Sequence, residues 1–295
     1  MFLACREEVV KHVTARVIDE FGKLDLRECR DGKVGFMVAL EGIDGSGVST
    51  HSKLVVDVLK RVVEGGWYRV IYSKEPTQGP LGFILWEVIQ GFLPGLDDPP
   101  ILALLFAADR LYHLYTMPVS GNLKGIVDAL ASGYIVVLDR YKYSSLAYQS
   151  AFAPRGRKAP MDWIAVVNAY APPAHILVYI DVDPQTAVSR IAKERLDVHL
   201  FENAAKLGVV RDNFLKLVEQ LKEKPEYPPE NPDHLLWLRT IPHRDCLYPP
   251  KPWPYVLVVE EASGGVERDI EETLEQIVLG LVGAAIERGL LVPRK

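Results

Sequence analysis

The stretch Gly42-Ile43-Asp44-Gly45-Ser46-Gly47-Val48-Ser49-Thr50 carries the clearest chemistry in the chain. It fits the spacing G-x-x-x-x-G-K-[ST] at every position but one. Its glycines let backbone N–H groups turn inward around a phosphate, and a helix opening there adds the positive end of its dipole. Ser49 offers a hydroxyl to a Mg²⁺ ion. Val48 stands where lysine belongs, so the motif lacks the cation that would neutralise the outer phosphates. The bland alternative is an ordinary Gly-rich turn between a strand and a helix.

The elements around this loop argue for the phosphate reading. Phe36 to Leu40 is a short apolar run of strand formers in front of it. A helix follows from about Ser49 to Glu64, ended by Gly65-Gly66. Tyr68 to Tyr72, Ile135 to Leu138, Ile176 to Ile180 and Tyr255 to Val259 read as four more strands. Helices are expected near 80–91, 100–117, 122–132, 202–222 and 266–288, and near 184–193 with Asp183 as its N-cap. Short apolar strands alternating with helices predict an α/β fold, a five-stranded parallel sheet with helices on both faces. Ligands of such sheets bind at the carboxyl ends of the strands.

Residues 1–34 read as an N-terminal helical extension, with Val9, Val13, Val17 and Phe21 on one face of its helix. Residues 35–289 form the main domain. A Pro-rich insertion at about 223–254, with Trp237 and Trp253 in it, reads as a lid or an interface. Arg155, Gly156, Arg157 and Lys158 make a basic loop.

Composition narrows the partners. The 295 residues are 48% hydrophobic, enough for one large α/β domain or two small ones. A net charge of -5 speaks against a broad nucleic-acid surface but leaves room for a local basic pocket. Cys5, Cys29 and Cys246 are odd in number and far apart. That argues for a reducing compartment and against a disulfide framework or a zinc site. The N-terminus has early charges and no apolar leader, and no stretch approaches the roughly 18 apolar residues of a membrane span. A cytoplasmic protein is expected.

Four motifs occur in the order and spacing of one family. Leu40-Glu41-Gly42-Ile43-Asp44-Gly45-Ser46-Gly47 resembles the phosphate loop of thymidylate kinases. Lys74-Glu75-Pro76-Thr77 resembles their [RK]-E-P-[GT]. Leu105-Phe106-Ala107-Ala108-Asp109-Arg110 resembles L-F-x-A-x-R. Asp139 to Gln149 resembles D-R-[YH]-x-x-S-x-x-A-Y-Q. The likeness runs from about residue 36 to 288 and implies the P-loop nucleoside-monophosphate kinase fold.

The resemblance also implies a reaction: ATP gives its γ-phosphoryl group to dTMP, yielding dTDP and ADP for dTTP synthesis, with Mg²⁺ as cofactor. Residues 42–50 would hold ATP, with Ser263 in the loop that meets the adenine. Arg110 would meet the acceptor phosphate, because a guanidinium fork matches phosphate oxygens, Lys74 would contact the same phosphate, and Arg140 resembles the arginine that contacts the substrate. Phe106 would stack on the base. Ser144, Tyr148 and Gln149 would touch base and sugar, and Asp44 the 3′-hydroxyl. Ser49 and Asp139 would serve the metal. Gly45 after Asp44 resembles members whose catalytic arginine lies in the lid, here Arg190 or Arg195. Small nucleotides are the implied partners, without nucleic acid or membrane, and a homodimer is permitted.

Val48 divides the readings. Either a working kinase uses another cation, a lid arginine more readily than Lys53, or the chain is a non-catalytic nucleotide-binding homologue. The complete acceptor set (Phe106, Arg110, Arg140, Tyr148, Gln149) favours the kinase. A kinase for another deoxynucleoside monophosphate is the third reading.

Overall fold

Every residue of Phe36–Glu41, Ile135–Asp139 and Ile176–Val182 is buried, as strands covered on both faces must be. The computed structural model describes residues 2–29, 32–152, 157–194, 203–226, 236–239, 241, 244–263 and 266–294. Its first half runs α1 (Phe2–Phe21), β1 (Leu24–Leu26), β2 (Glu28–Cys29), β3 (Gly32–Lys33), β4 (Phe36–Glu41), α2 (Val48–Val62), α3 (Gly66–Arg69), β5 (Val70–Lys74), α4 (Pro80–Ile89), α5 (Pro99–Tyr115), β6 (Pro118–Ser120), β7 (Leu123–Lys124) and α6 (Gly125–Ala131). Then come β8 (Ile135–Asp139), α7 (Lys142–Gln149), α8 (Met161–Val167), β9 (Ile176–Val182), α9 (Pro184–Glu194), α10 (Ala204–Glu223), α11 (Arg244–Leu247), β10 (Tyr255–Ser263), β11 (Val266–Glu267), α12 (Ile270–Glu287) and β12 (Leu291–Pro293).

The central sheet has the order β11-β10-β9-β4-β8-β5. The five strands from β10 to β5 are parallel, and β11 adds a short antiparallel edge. The five-stranded parallel α/β fold is therefore present. All five expected strands form, each extended by a residue or more at the carboxyl end. Asp183 caps α9 by accepting the backbone N–H of Thr186 at 3.0 Å.

Three boundaries differ from the sequence reading. The second strand begins at Val70, not Tyr68. Gly65 takes φ +66°, and one helical turn intervenes, leaving Trp67 and Tyr68 exposed. The helix expected near 122–132 begins only at Gly125, after the β6–β7 hairpin. Gly125 has φ +79°, and a Cβ there would stand 2.2 Å from the Leu114 carbonyl oxygen. The last helix starts at Ile270, where Asp269 caps it by accepting from Glu271 N–H; Val266 and Glu267 pair with β10 instead.

The first helix packs on α2 and α12 through Val9, Val13 and Val17, all buried. β1 pairs antiparallel with β12, so the segment after the first helix meets the last strand. The aromatic residues of the Pro-rich segment also face inward: Trp237, Tyr248 and Trp253 are buried. His175 stacks on Tyr248 at 4.2 Å, accepts the Met37 N–H at Nδ1 and donates from Nε2 to Leu247 O. Burial pushes its pKa down to about 4, so the ring is neutral in this role.

One expectation fails. The cysteines argued against a disulfide, yet Cys29 and Cys246 are bonded, 217 positions apart. Spacing rules look for neighbours in sequence, and this bond joins the N-terminal extension to the Pro-rich segment. Closing a loop of that length removes on the order of 5 kcal/mol of chain entropy from the unfolded state. Replacing both cysteines by serine should lower the melting temperature by roughly 10 °C in the absence of reductant. Calorimetry beside the parent checks this, and identical melting in both would count against it.

Candidate active site

The phosphate loop spans the gap between Glu41, at the end of β4, and Val48, the first residue of α2. Gly45 (φ +82°) and Gly47 (φ +79°) take the left-handed backbone that the turn requires. At Gly45 a Cβ would also meet the Ala187 carbonyl oxygen at 2.4 Å, so α9 lies directly against the loop. Val48 is 3% exposed and packs in the hydrophobic core. The side chain at the lysine position is thus core material. Ser49 and Thr50 are exposed at the helix start.

Arg140 ties this loop to the strand beside it. Its backbone has φ +69°, the one positive φ outside glycine among the described residues, and such strain persists only where the surroundings fix it. Its guanidinium donates to Gly42 O at 2.7 Å, to Asp44 Oδ1 at 2.6 Å and to Ser144 Oγ at 3.2 Å. The Asp44 N–H donates to the Tyr148 hydroxyl at 2.7 Å. Glu41, fully buried, accepts the Tyr141 and Ser144 N–H groups and the Ser144 hydroxyl. Burial pushes its pKa up to about 7, against the pull of Ser144 and Arg140.

Arg110 is 1% exposed. It donates from Nε to Glu75 Oε2 at 2.8 Å, and to Asn168 Oδ1 and Ser145 Oγ from its two terminal nitrogens. Glu75 continues the network: His113 lies between its Oε1, at 3.2 Å, and Ser73 Oγ, at 2.6 Å. The neighbouring Asp109 turns instead to Thr77. Asp139 accepts from the Tyr72 hydroxyl at 2.8 Å.

These pieces line one cavity of about 530 Å³. The loop 43–50 forms one part of its wall. Lys74, Glu75, Trp86, Phe106, Arg110, Asp139, Arg140, Ser144, Tyr148 and Gln149 form another, and Arg190, Glu261, Glu267, Arg268 and Ile270 a third. Arg190 Nη1 lies 3.4 Å from Gly45 O, and its guanidinium is paired with Glu261 and Glu267. Lys53 sits over the Tyr72 ring, 5.8 Å from its centroid. Ser263 ends β10. Arg195, Arg155 and Gly156 lie outside the described residues; Arg157 pairs with Asp98.

The donor set suits a hard cation. The Ser49 hydroxyl and the Asp139 carboxylate share the cavity wall, and oxygen ligands of this kind hold Mg²⁺ together with substrate phosphates. Among the described residues no three His, Cys, Asp or Glu side chains gather into a metal cage. No described helix is long and apolar enough to cross a membrane.

Sequence reasoning assigned no role to Glu41, Glu75, His113 or Trp86. Glu41 and Glu75 stand inside the quoted motifs, so an accounting of which carboxylate holds which arginine would have found them. Trp86 had no signal beyond an aromatic residue on an apolar helix.

The model of the family described as thymidylate kinase matches residues 40–225. A putative thymidylate kinase of Aeropyrum pernix is 39% identical over 245 residues, 82% of this chain and 93% of its own. A probable thymidylate kinase of Pyrobaculum calidifontis is 38% identical over 60% of this chain and 80% of its own. The solved thymidylate kinase from Candida albicans superposes with a TM-score of 0.58 at 18% identity, covering 89% of this chain and 96% of that one. The one from Ehrlichia chaffeensis gives 0.52 at 21%, covering 84% and 99%. At these identities the two structures bear on the fold alone.

Glu41 makes the first test of the site. Its folded pKa of about 7 lies above the ordinary 4.5, so the folded state holds the extra proton between those values. Stability is present below about pH 4.5 and falls as pH rises toward 7, by about 3 kcal/mol in all. Glu41→Gln, which does not titrate, should lose less stability than the parent between about pH 5 and about pH 8. Denaturant unfolding at both values reads the difference, and parallel profiles would remove Glu41 from this role.

Proposed function

The chain belongs to the thymidylate kinase family of nucleoside-monophosphate kinases, and we propose that it moves the γ-phosphoryl group of ATP onto dTMP, giving dTDP and ADP. The observation that carries this reading is the single cavity joining the phosphate loop to the Phe106–Arg110 and Ser144–Gln149 walls. Donor and acceptor phosphates would meet there.

Transfer of this kind depends on position and charge more than on covalent help from the protein. An oxygen of the dTMP phosphate bonds to the γ-phosphorus, and the bond to the bridging oxygen breaks, with that electron pair leaving on ADP. The inward N–H groups of the loop and the start of α2 would hold the donor phosphates. Ser49 and Asp139 would hold Mg²⁺, which neutralises charge on the phosphate oxygens when bound. Arg140 fixes the loop through Gly42 and Asp44. Phe106 gives the base an apolar wall. Gln149 is buried, and among the described residues its Oε1 has no hydrogen-bond partner, which suits the N3–H of thymine. Cytosine has a bare acceptor nitrogen at that position.

The missing lysine needs a substitute. We assign its role to Arg190, which α9 delivers to Gly45. The purified chain should turn over ATP and dTMP with Mg²⁺ in a coupled assay. Arg190→Ala should lower kcat on the order of 100-fold or more. No turnover by the parent would sink the kinase reading, and equal or better turnover with dCMP or dGMP would move the acceptor away from dTMP.

A further inference from the structure

The cations around the cavity are held in two different ways. Arg110 is paired with Glu75, Arg140 with Asp44, and Arg190 with Glu261 and Glu267. Arg268 lies 3.9 Å from Glu272. Each guanidinium shares its charge with at least one carboxylate. Lys74 does not. Among the described residues it has no ion-pair partner, and its Nζ stands 4.9 Å from the centroid of the Trp86 ring. Lys74 ends β5 in register with Asp139, Trp86 lies on α4, and both side chains line the cavity.

The difference has a physical consequence. A carboxylate would hold the ammonium in place but cancel its charge. An aromatic face holds it through the ring quadrupole and leaves the formal charge whole. In a loop without lysine, that uncompensated charge has added weight.

We propose that Trp86 is a positioning residue for Lys74, keeping an unneutralised ammonium in the cavity wall for the phosphate of the acceptor. The inference rests on the reading that the cavity takes dTMP. It separates Trp86 from two plainer roles, stacking on the base and filling space beside Phe106.

Thymidine, which has the base and sugar but no phosphate, distinguishes these roles. Calorimetry with dTMP and with thymidine would be run on the parent, Trp86→Leu, Trp86→Phe and Lys74→Met. Trp86→Leu should weaken dTMP binding by roughly five- to thirty-fold and leave thymidine binding unchanged. Trp86→Phe, which keeps a ring, should retain most of the affinity. Lys74→Met should lose the preference for dTMP, and adding Trp86→Leu to it should cost nothing more. If Trp86→Leu does not fold, Trp86→Met fills similar space without a ring. Equal weakening of both ligands would assign Trp86 to the base and overturn the proposal, as would unchanged dTMP affinity. A parent that turns over dTMP while showing either result loses only this inference. A parent that binds neither ligand loses the acceptor reading, and the inference with it.

Discussion

The phosphate loop keeps its shape because one guanidinium reaches across two strands to hold it. Arg140 leaves β8 with a left-handed backbone, and its side chain gathers Gly42 O, Asp44 Oδ1 and Ser144 Oγ. A non-glycine residue at φ +69° is unfavourable in isolation. Here the cost is offset by three hydrogen bonds from a charged donor, each stronger than a neutral one. Glu41 fixes the same turn from below by accepting from Tyr141 and Ser144. The loop, the strand-end Asp139 and the first turn of α7 are therefore one mechanical unit. The glycines permit the loop, and Arg140 and Glu41 decide where it sits.

A second unit is built on a buried ion pair. Arg110 and Glu75 are both almost wholly removed from water, which alone would be expensive. Asn168, Ser145 and His113 take up their remaining hydrogen-bonding capacity. Removing one partner would leave a charge stranded, so the pair works as rigid scaffolding at the cavity wall. Placing positive charge without surrendering it to a carboxylate is a different problem, and within this wall the Lys74–Trp86 contact meets it.

Much of this was legible in the residues themselves. Apolar runs such as Ile135 to Leu138 fix the buried parallel strands, and the glycine spacing fixes the loop between β4 and α2. Phe106, Arg110, Arg140, Tyr148 and Gln149 do come to one cavity. What stayed hidden is pairing across the fold. Asp109 precedes Arg110 in the chain, but adjacent helix residues do not face each other, and the guanidinium meets Glu75 from another element. The Cys29–Cys246 bond and the Lys74–Trp86 contact are likewise products of tertiary approach. Val48 was legible as an absence; its burial in the core needed the fold.

The additions to the family pattern gather away from the chemistry. His175 precedes β9 and contacts Met37 near the start of β4, at the amino ends of these strands. Tyr248, Trp237 and Trp253 pack around it, and the disulfide fastens the same segment to the N-terminal extension. The phosphate loop, Asp139 and Lys74 all lie at the carboxyl ends. The fold thus concentrates covalent and aromatic reinforcement at one edge of the sheet. Backbone strain at Arg140 and paired buried charges sit at the other. Strained and charged constellations lower stability locally, and they persist only where the rest of the fold over-determines them. Lys142 joins the two edges: on α7, next to the acceptor wall, its ammonium is held by Glu226 at the start of the Pro-rich segment and by Ala171 O. The reinforcement is therefore connected, through one buried lysine, to the helix that carries Ser144, Tyr148 and Gln149.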